Sequence, residues 1–275
     1  MPPLEYCWLK IERAREHRDA LAKYVADTFA VEANRSRVGG RFDRDSSEYI
    51  VYVSYTPDLG NFLSRCSILL GDAVHSLNSA LDHLVYQLAL LHTHGNIQKP
   101  SRIQFPLCDT ADAFSDERKR RLGELDPTHI AKIERFQGYQ PIDENLLIGL
   151  GTGHPLSKLR DLVSVEKHRL PIDIVVPPNS LDITHAQVST AFALGAMQQF
   201  MQTGGPIVFE RAKLDAVIMR YRLPTGSVPT DVEMAGYVGS KVAFDGDRLV
   251  LDALDKIAAA VEKVLREFQP VFRHA

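Results

Sequence analysis

Hydrophobic positions recur at three- and four-residue steps over residues 58 to 92, which is the longest uninterrupted helical pattern in the chain. No proline falls between Pro57 and Pro100, and Asp58 can cap the start of the helix. The pattern predicts one long central helix on which the other helices pack. Its apolar stripe comprises Leu70, Val74, Leu77, Leu81, Leu84, Leu88 and Leu91.

Similar periodicity predicts helices at residues 4–31, 155–168 and 247–270, whereas β-branched and aromatic residues between turn signals predict strands. We therefore predict an α+β fold, in which a helical bundle surrounds the central helix and an antiparallel β-sheet is formed mostly by the C-terminal half. Residues 1–169 would be mainly bundle, 170–246 mainly sheet and 247–270 a helix packed on the bundle. All of residues 1–275 would form a single interlocked unit. The predicted strands are 47–55, 172–176, 181–193, 206–209, 214–223 and 232–244.

Composition narrows the class of protein without identifying a reaction. Hydrophobic residues make up 45% and charged residues 24%, which is ordinary for a globular protein, and the net charge of −3 disfavours a generally basic nucleic-acid binder. Three scattered cysteines without a C-x-x-C pair indicate a reducing compartment and no zinc ribbon. No signal-peptide pattern and no long apolar run is visible, so we expect a cytoplasmic protein with no membrane contact and no cofactor.

Polar side chains of the central helix share one face. His75, Asn78 and Asp82 stand at positions i, i+3 and i+7, and His83 lies about 100° from Asp82 around the helix axis. A histidine beside a carboxylate can be held in one tautomer and can exchange protons near neutral pH. The alternative interpretation is structural, with these side chains bonding to neighbouring helices.

A second group of candidate residues ends the helix at 155–168. Lys167, His168 and Arg169 follow Glu166, and cations in a last turn complement the helix dipole. The functional interpretation is that they meet the face of the central helix across the bundle. The candidate site then comprises His75, Asn78, Asp82, His83, Lys167, His168 and Arg169.

The segment GDAVHSLNSALDHLVYQLA resembles uncharacterised bacterial proteins whose usual form reads G-D-x-x-H-N-L-R-S-A-L-D-H-L, and residues 165–169 resemble their later D-K-H-R-like segment. The family's arginine and histidine spacing is in turn similar to that of HEPN-type helical domains, many of which are metal-independent ribonucleases. Here Asn78 occupies the arginine position and His83 the histidine position. Asparagine does not neutralise a phosphate as a guanidinium does, so the resemblance implies a non-catalytic HEPN-like bundle.

Three functions follow from these observations. The first is a HEPN-like binding or interaction protein, with the central helix as a candidate homodimer interface. The second is an RNA- or nucleotide-directed hydrolase that uses His83 and His75, with Arg169 or Lys167 on phosphate. The third is a metal-dependent hydrolase whose ligands would be His75, Asp82, His83 and His168.

Overall fold

The chain divides into two compact units in a computed structural model, which describes residues 4–31, 36–43, 45–46, 48–54, 59–141, 153–167, 178–187, 215–222, 233–240, 243–244 and 248–273. The first unit comprises Met1–Lys23, Ser64–Ile174 and Ala243–Ala275. The second comprises Tyr24–Leu63 and Val175–Val242. Each unit has its own architecture and is described by itself.

Six α-helices carry most of the described chain. They are α1 (Glu5–Ala30), α2 (Leu59–His92), α3 (Ala111–Arg121), α4 (Pro127–Glu134), α5 (Pro155–Lys167) and α6 (Val250–Phe268). Short 3-10 turns occupy Pro100–Arg102 and Gln269–Arg273, and the two-residue strands β6 (Ala243–Phe244) and β7 (Arg248–Leu249) pair just before α6. The predicted central helix from Ser64 onward and the predicted final helix are parts of the first unit.

Helix α2 is the longest element, and its apolar stripe forms much of the core of the first unit. At 1.5 Å per residue its 34 residues span about 50 Å. The predicted stripe is buried from Leu70 to Leu88, and only Leu91 at its end is half-exposed. The opposite side carries exposed residues such as Asp72 and His75. This division matches the three- and four-residue period of the sequence.

Helix α6 is the most strongly amphipathic helix, and ion pairs connect its polar side to other helices of the first unit. Arg18 on α1 lies 2.7 Å from Asp255, and Arg15 pairs with Glu262. Because such exposed pairs contribute little, the buried face of α6 is the main source of its stability. That face comprises Val250, Ala253, Leu254, Ile257, Ala258, Ala260, Val261, Val264, Leu265 and Phe268.

The second unit contains a five-stranded antiparallel sheet. Its strands are β1 (Ser36–Asp43), β2 (Glu48–Ser54), β3 (Pro178–Gln187), β4 (Asp215–Arg222) and β5 (Glu233–Ser240), in the order β3-β5-β1-β2-β4. β1 and β2 form a hairpin in which Gly39 and Gly40 pair with Tyr52 and Val51. β1 was not predicted, because paired glycines lower strand propensity, yet it is the central strand of the sheet.

The predicted α+β fold class, a helical bundle around one long central helix with an antiparallel β-sheet formed mostly by the C-terminal half, is wrong. The segments that carry α1 to α6 are 77% helical and contain none of the strands β1 to β5. The five longer strands belong to the other compact unit, to which residues 24–63 also contribute. The error has a physical cause: the apolar stripes of the helices are buried within a helical unit, so they need no sheet to cover them.

Several other predictions concern segments outside the described residues, including the strands at 172–176 and 206–209. That residues 1–275 form a single interlocked unit stays a prediction. Among the helices of the described ranges, none is both long enough and apolar enough to span a bilayer.

Candidate functional site

Asn78 and Asp82 form a hydrogen-bonded pair on α2, one turn apart. The amide nitrogen Nδ2 of Asn78 donates to Oδ2 of Asp82 at 3.1 Å, and Oδ1 of Asp82 accepts the backbone N–H of Phe105 at 2.8 Å. The Asp82 carboxylate therefore ties α2 to an extended segment 23 residues further along the chain. A carboxylate that accepts a backbone N–H in this way makes a charge-assisted hydrogen bond, which is among the stronger ones in proteins.

This pair lies in a polar cleft, which we name the α2–α5 cleft. Its volume is about 330 Å³. Side chains from α2, from the segment before α3, from α3 and from α5 line it. They are Asn78, Asp82, Gln104, Phe105, Leu107, Cys108, Asp109, Ala113, Glu117, Arg121, Arg160, Val163 and Ser164.

Two arginines in the cleft wall are already paired with carboxylates. Arg160 on α5 pairs with Asp109, and Arg121 pairs with Glu117 on its own helix. Arg121 also donates to Oε1 of Gln104 at 2.8 Å. Burial alone would raise the pKa of Glu117, but the hydrogen bond from Arg120 and the charge of Arg121 lower it below its ordinary value. The carboxylate is therefore ionised at neutral pH and keeps the guanidinium in place.

The backbone of Cys108, which lines the cleft, is held by a buried glutamine and a tightly packed glycine. Oε1 of Gln137 accepts the N–H of Cys108 at 3.0 Å, while its Nε2 donates to the carbonyl of Ile133 at 3.1 Å. The N–H of Gly138 donates to the Cys108 carbonyl at 2.8 Å. A Cβ at position 138 would lie 2.1 Å from Oγ of Ser157, so only glycine fits this junction without a shift.

Cys108 lines the cleft, but its thiol is a poor nucleophile. Burial, and then the negative charge of Glu117, raise the pKa of Cys108 above its ordinary value. The raised pKa keeps the thiol protonated at neutral pH. Because the thiolate is the reactive form, the group is a poor nucleophile. It contributes a small apolar surface to the cleft.

The two histidines predicted on α2 do not line the cleft. His75 is exposed, and His83 is half-buried with its ring stacked on Tyr6, with a centroid separation of 6.3 Å and an interplanar angle of 16°. The structure thus separates the predicted set into a cleft pair, Asn78 and Asp82, and two histidines outside the cleft.

The second predicted group is described only in part. Lys167 is the last residue of α5, but its side chain, like His168 and Arg169 as a whole, lies outside the described residues. The same helix nevertheless reaches the cleft one turn earlier, since Val163 and Ser164 line it together with Arg160. Helix α5 therefore approaches the Asn78 and Asp82 face of α2.

Sequence reasoning missed Arg121, Arg160, Gln104 and Gln137. The charged run at residues 117–121 is typical of a solvated helix end, yet Glu117 and Arg121 lie three and seven residues after Phe114, the one buried residue of α3. That spacing puts them on the inward side of the helix, which was the available signal. No local pattern marks Gln137, because its partner Cys108 is 29 residues away.

Within the ranges that the structure describes, no group of three or more histidine, cysteine, aspartate or glutamate side chains could hold a metal ion. No protein-family model, curated protein or solved structure matches the chain. The fold and the cleft therefore define a helical unit with a polar, mixed-charge cleft, and function has to be argued from the cleft itself.

Proposed function

We propose that this protein is a HEPN-like binding or interaction protein that lacks a complete ribonuclease machinery. The observation that supports the proposal is the hydrogen-bonded pair of Asn78 and Asp82. An asparagine stands where HEPN-type domains carry an arginine, and its amide is used to hold Asp82 against the backbone of Phe105. The polar face of α2 thus serves to shape the cleft.

The charges of the cleft support binding over phosphate chemistry. Its described lining carries three carboxylates, Asp82, Asp109 and Glu117, and two guanidiniums, Arg121 and Arg160. Since each guanidinium already has a carboxylate partner, a phosphate would have to displace Asp109 or Glu117 to reach it. Stabilising a phosphoryl transition state requires cations aimed at the developing charge.

An RNA cleavage assay tests this proposal. We expect purified wild-type protein to leave a labelled single-stranded RNA intact, at the rate of the buffer alone, and His83→Ala to behave identically. Asn78→Arg restores the arginine of the HEPN spacing and serves as a matched variant in the same helix turn. Cleavage by the wild type that disappears in His83→Ala would refute the proposal.

The second candidate function is an RNA- or nucleotide-directed hydrolase that uses His83 and His75 with Lys167 or Arg169. One observation favours it: α5 lines the cleft through Arg160, Val163 and Ser164, and Asn78 and Asp82 of α2 line the same cleft. Lys167 is the last residue of this helix. Under this proposal Arg169→Ala abolishes the cleavage that the same assay would detect, whereas Arg102→Ala, on an exposed turn, leaves it unchanged.

A homodimer through α2 and a cytoplasmic location complete the proposal. Ile68 on α2 is 65% exposed and is the apolar side chain that such a contact would cover. Sedimentation of wild type and Ile68→Ser tests it: the wild type should dimerise and the variant should not, while Val165→Ser on α5 serves as the control.

All three cysteines are buried free thiols, which supports a reducing compartment.

A further inference from the structure

His154 caps the N-terminus of α5 with its side chain. Because Pro155 has no N–H, the amide of Leu156 is the first orphan donor of the helix, and it donates to Nδ1 of His154 at 3.1 Å. The carbonyl of His154 accepts the N–H of Lys158 at 3.0 Å, as an N-cap residue does. Nδ1 can accept this hydrogen bond only while it carries no proton.

The helix turn that His154 caps leads directly into the part of α5 that lines the cleft, which begins at Arg160. Ser157 contacts the junction at Gly138, and Arg160, two residues after Lys158, pairs with Asp109 in the cleft. Anything that loosens the first turn of α5 therefore acts on the side of the cleft that carries Arg160.

Two effects oppose each other at the imidazole. Burial lowers the pKa of His154 below its ordinary value of about 6.5, and the negative charge of Asp109 partly offsets this. Asp109 is the charged group from the segment facing α5, and Arg160, on α5 itself, pairs with that carboxylate. A proton on the ring would also add positive charge at the positive end of the helix dipole.

We propose that His154 makes the first turn of α5 sensitive to pH: a solvent proton on Nδ1 removes the acceptor of the Leu156 N–H and loosens the cleft wall that carries Arg160. The sign follows from the folded state preferring the neutral ring. The stabilisation that the cap contributes is complete above about pH 6.5, the ordinary pKa of histidine. It is lost as the pH falls through the lower pKa of His154 in the folded protein. This inference holds whether or not the cleft binds a ligand.

Hydrogen exchange of the full-length protein tests the proposal, followed by mass spectrometry on peptides from α5 and corrected for intrinsic rates. Between pH 7.5 and pH 5.0 we expect protection of the first turn of α5 to fall about fivefold, the factor that corresponds to loss of a typical N-cap. Peptides from α6 should keep their protection.

Two substitutions separate the cap from general acid effects. His154→Asn supplies a capping oxygen that does not titrate, so its α5 protection should be the same at both pH values. His154→Ala has no side-chain cap and should show low protection at both. The proposal is overturned if wild-type α5 protection does not change with pH, or if His154→Asn retains the full loss; the second comparison holds even if His154→Ala does not fold.

Discussion

The strongest test of the cleft's architecture is an exchange of the two side chains that meet on α2. In the wild type Asn78 donates to one oxygen of Asp82, and the other oxygen accepts the N–H of Phe105. Asp82→Asn keeps the size and shape of the side chain but offers one acceptor and one donor group. In this variant the new side-chain NH2 group at position 82 faces either Nδ2 of Asn78 or the N–H of Phe105, so two donors meet.

The expected magnitude follows from these two contacts. A hydrogen bond to a charged group contributes about 1.5–3 kcal/mol, and both side chains are half-buried, so we take the lower part of that range. Asp82→Asn should lower the free energy of unfolding by about 2 kcal/mol. Asn78→Asp should lower it by about 1 kcal/mol, because it removes the hydrogen bond to Asp82 and sets two carboxylates one turn apart.

The exchange variant Asn78→Asp/Asp82→Asn should recover part of this loss. The new amide side chain at position 82 would accept the Phe105 N–H through its oxygen and donate to the new carboxylate at position 78 through its nitrogen, so each donor again faces an acceptor. We expect a favourable coupling energy of about 1–2 kcal/mol between the two substitutions. Recovery stays incomplete, since the hydrogen bond to Phe105 is no longer charge-assisted.

Urea denaturation followed by circular dichroism at 222 nm measures these free energies by linear extrapolation. Asp72→Asn is the matched control, because Asp72 is an exposed carboxylate of the same helix and should change stability by less than about 0.5 kcal/mol. Additive losses in the exchange variant, or an Asp82→Asn stability equal to that of the wild type, would show that the Asn78–Asp82–Phe105 contacts do not hold the cleft.

Three further predictions concern the contacts of the Cys108 backbone and the thiols. Gly138→Ala should destabilise the protein by about 1–3 kcal/mol in thermal denaturation, because its Cβ would lie 2.1 Å from Ser157 Oγ, whereas Gly153→Ala, with no atom within 4 Å, should be close to neutral. Gln137→Met should cost about 1–3 kcal/mol in the same assay, since it leaves the buried Cys108 N–H without its acceptor; an unchanged melting temperature contradicts this. All three thiols should resist iodoacetamide at pH 7.5 in the native protein and react after unfolding, because burial raises the pKa of two of them to about 12 and also raises that of Cys108; rapid native labelling refutes the assignment.

Local signals in the sequence were sufficient for the helices whose apolar positions repeat over many turns. The stripe from Leu70 to Leu88 and the amphipathic face of α6 have one period throughout, so the burial of each could be predicted from spacing alone. Caps were equally local: Asp126 and Pro127 mark the start of α4, and the Asp126 carboxylate accepts the N–H of Thr128. The shared face of Asn78 and Asp82 also follows from their spacing.

Tertiary structure decided which surfaces meet. The partner of Asp82 is the backbone of Phe105 and that of Gln137 is the backbone of Cys108, and neither contact leaves a trace in local composition. The central strand β1 contains two glycines and gained its place through pairing with β2 and β5. The division of the chain into two compact units has the same cause: periodicity specifies which side of an element is apolar, whereas contacts distant in sequence determine what covers it.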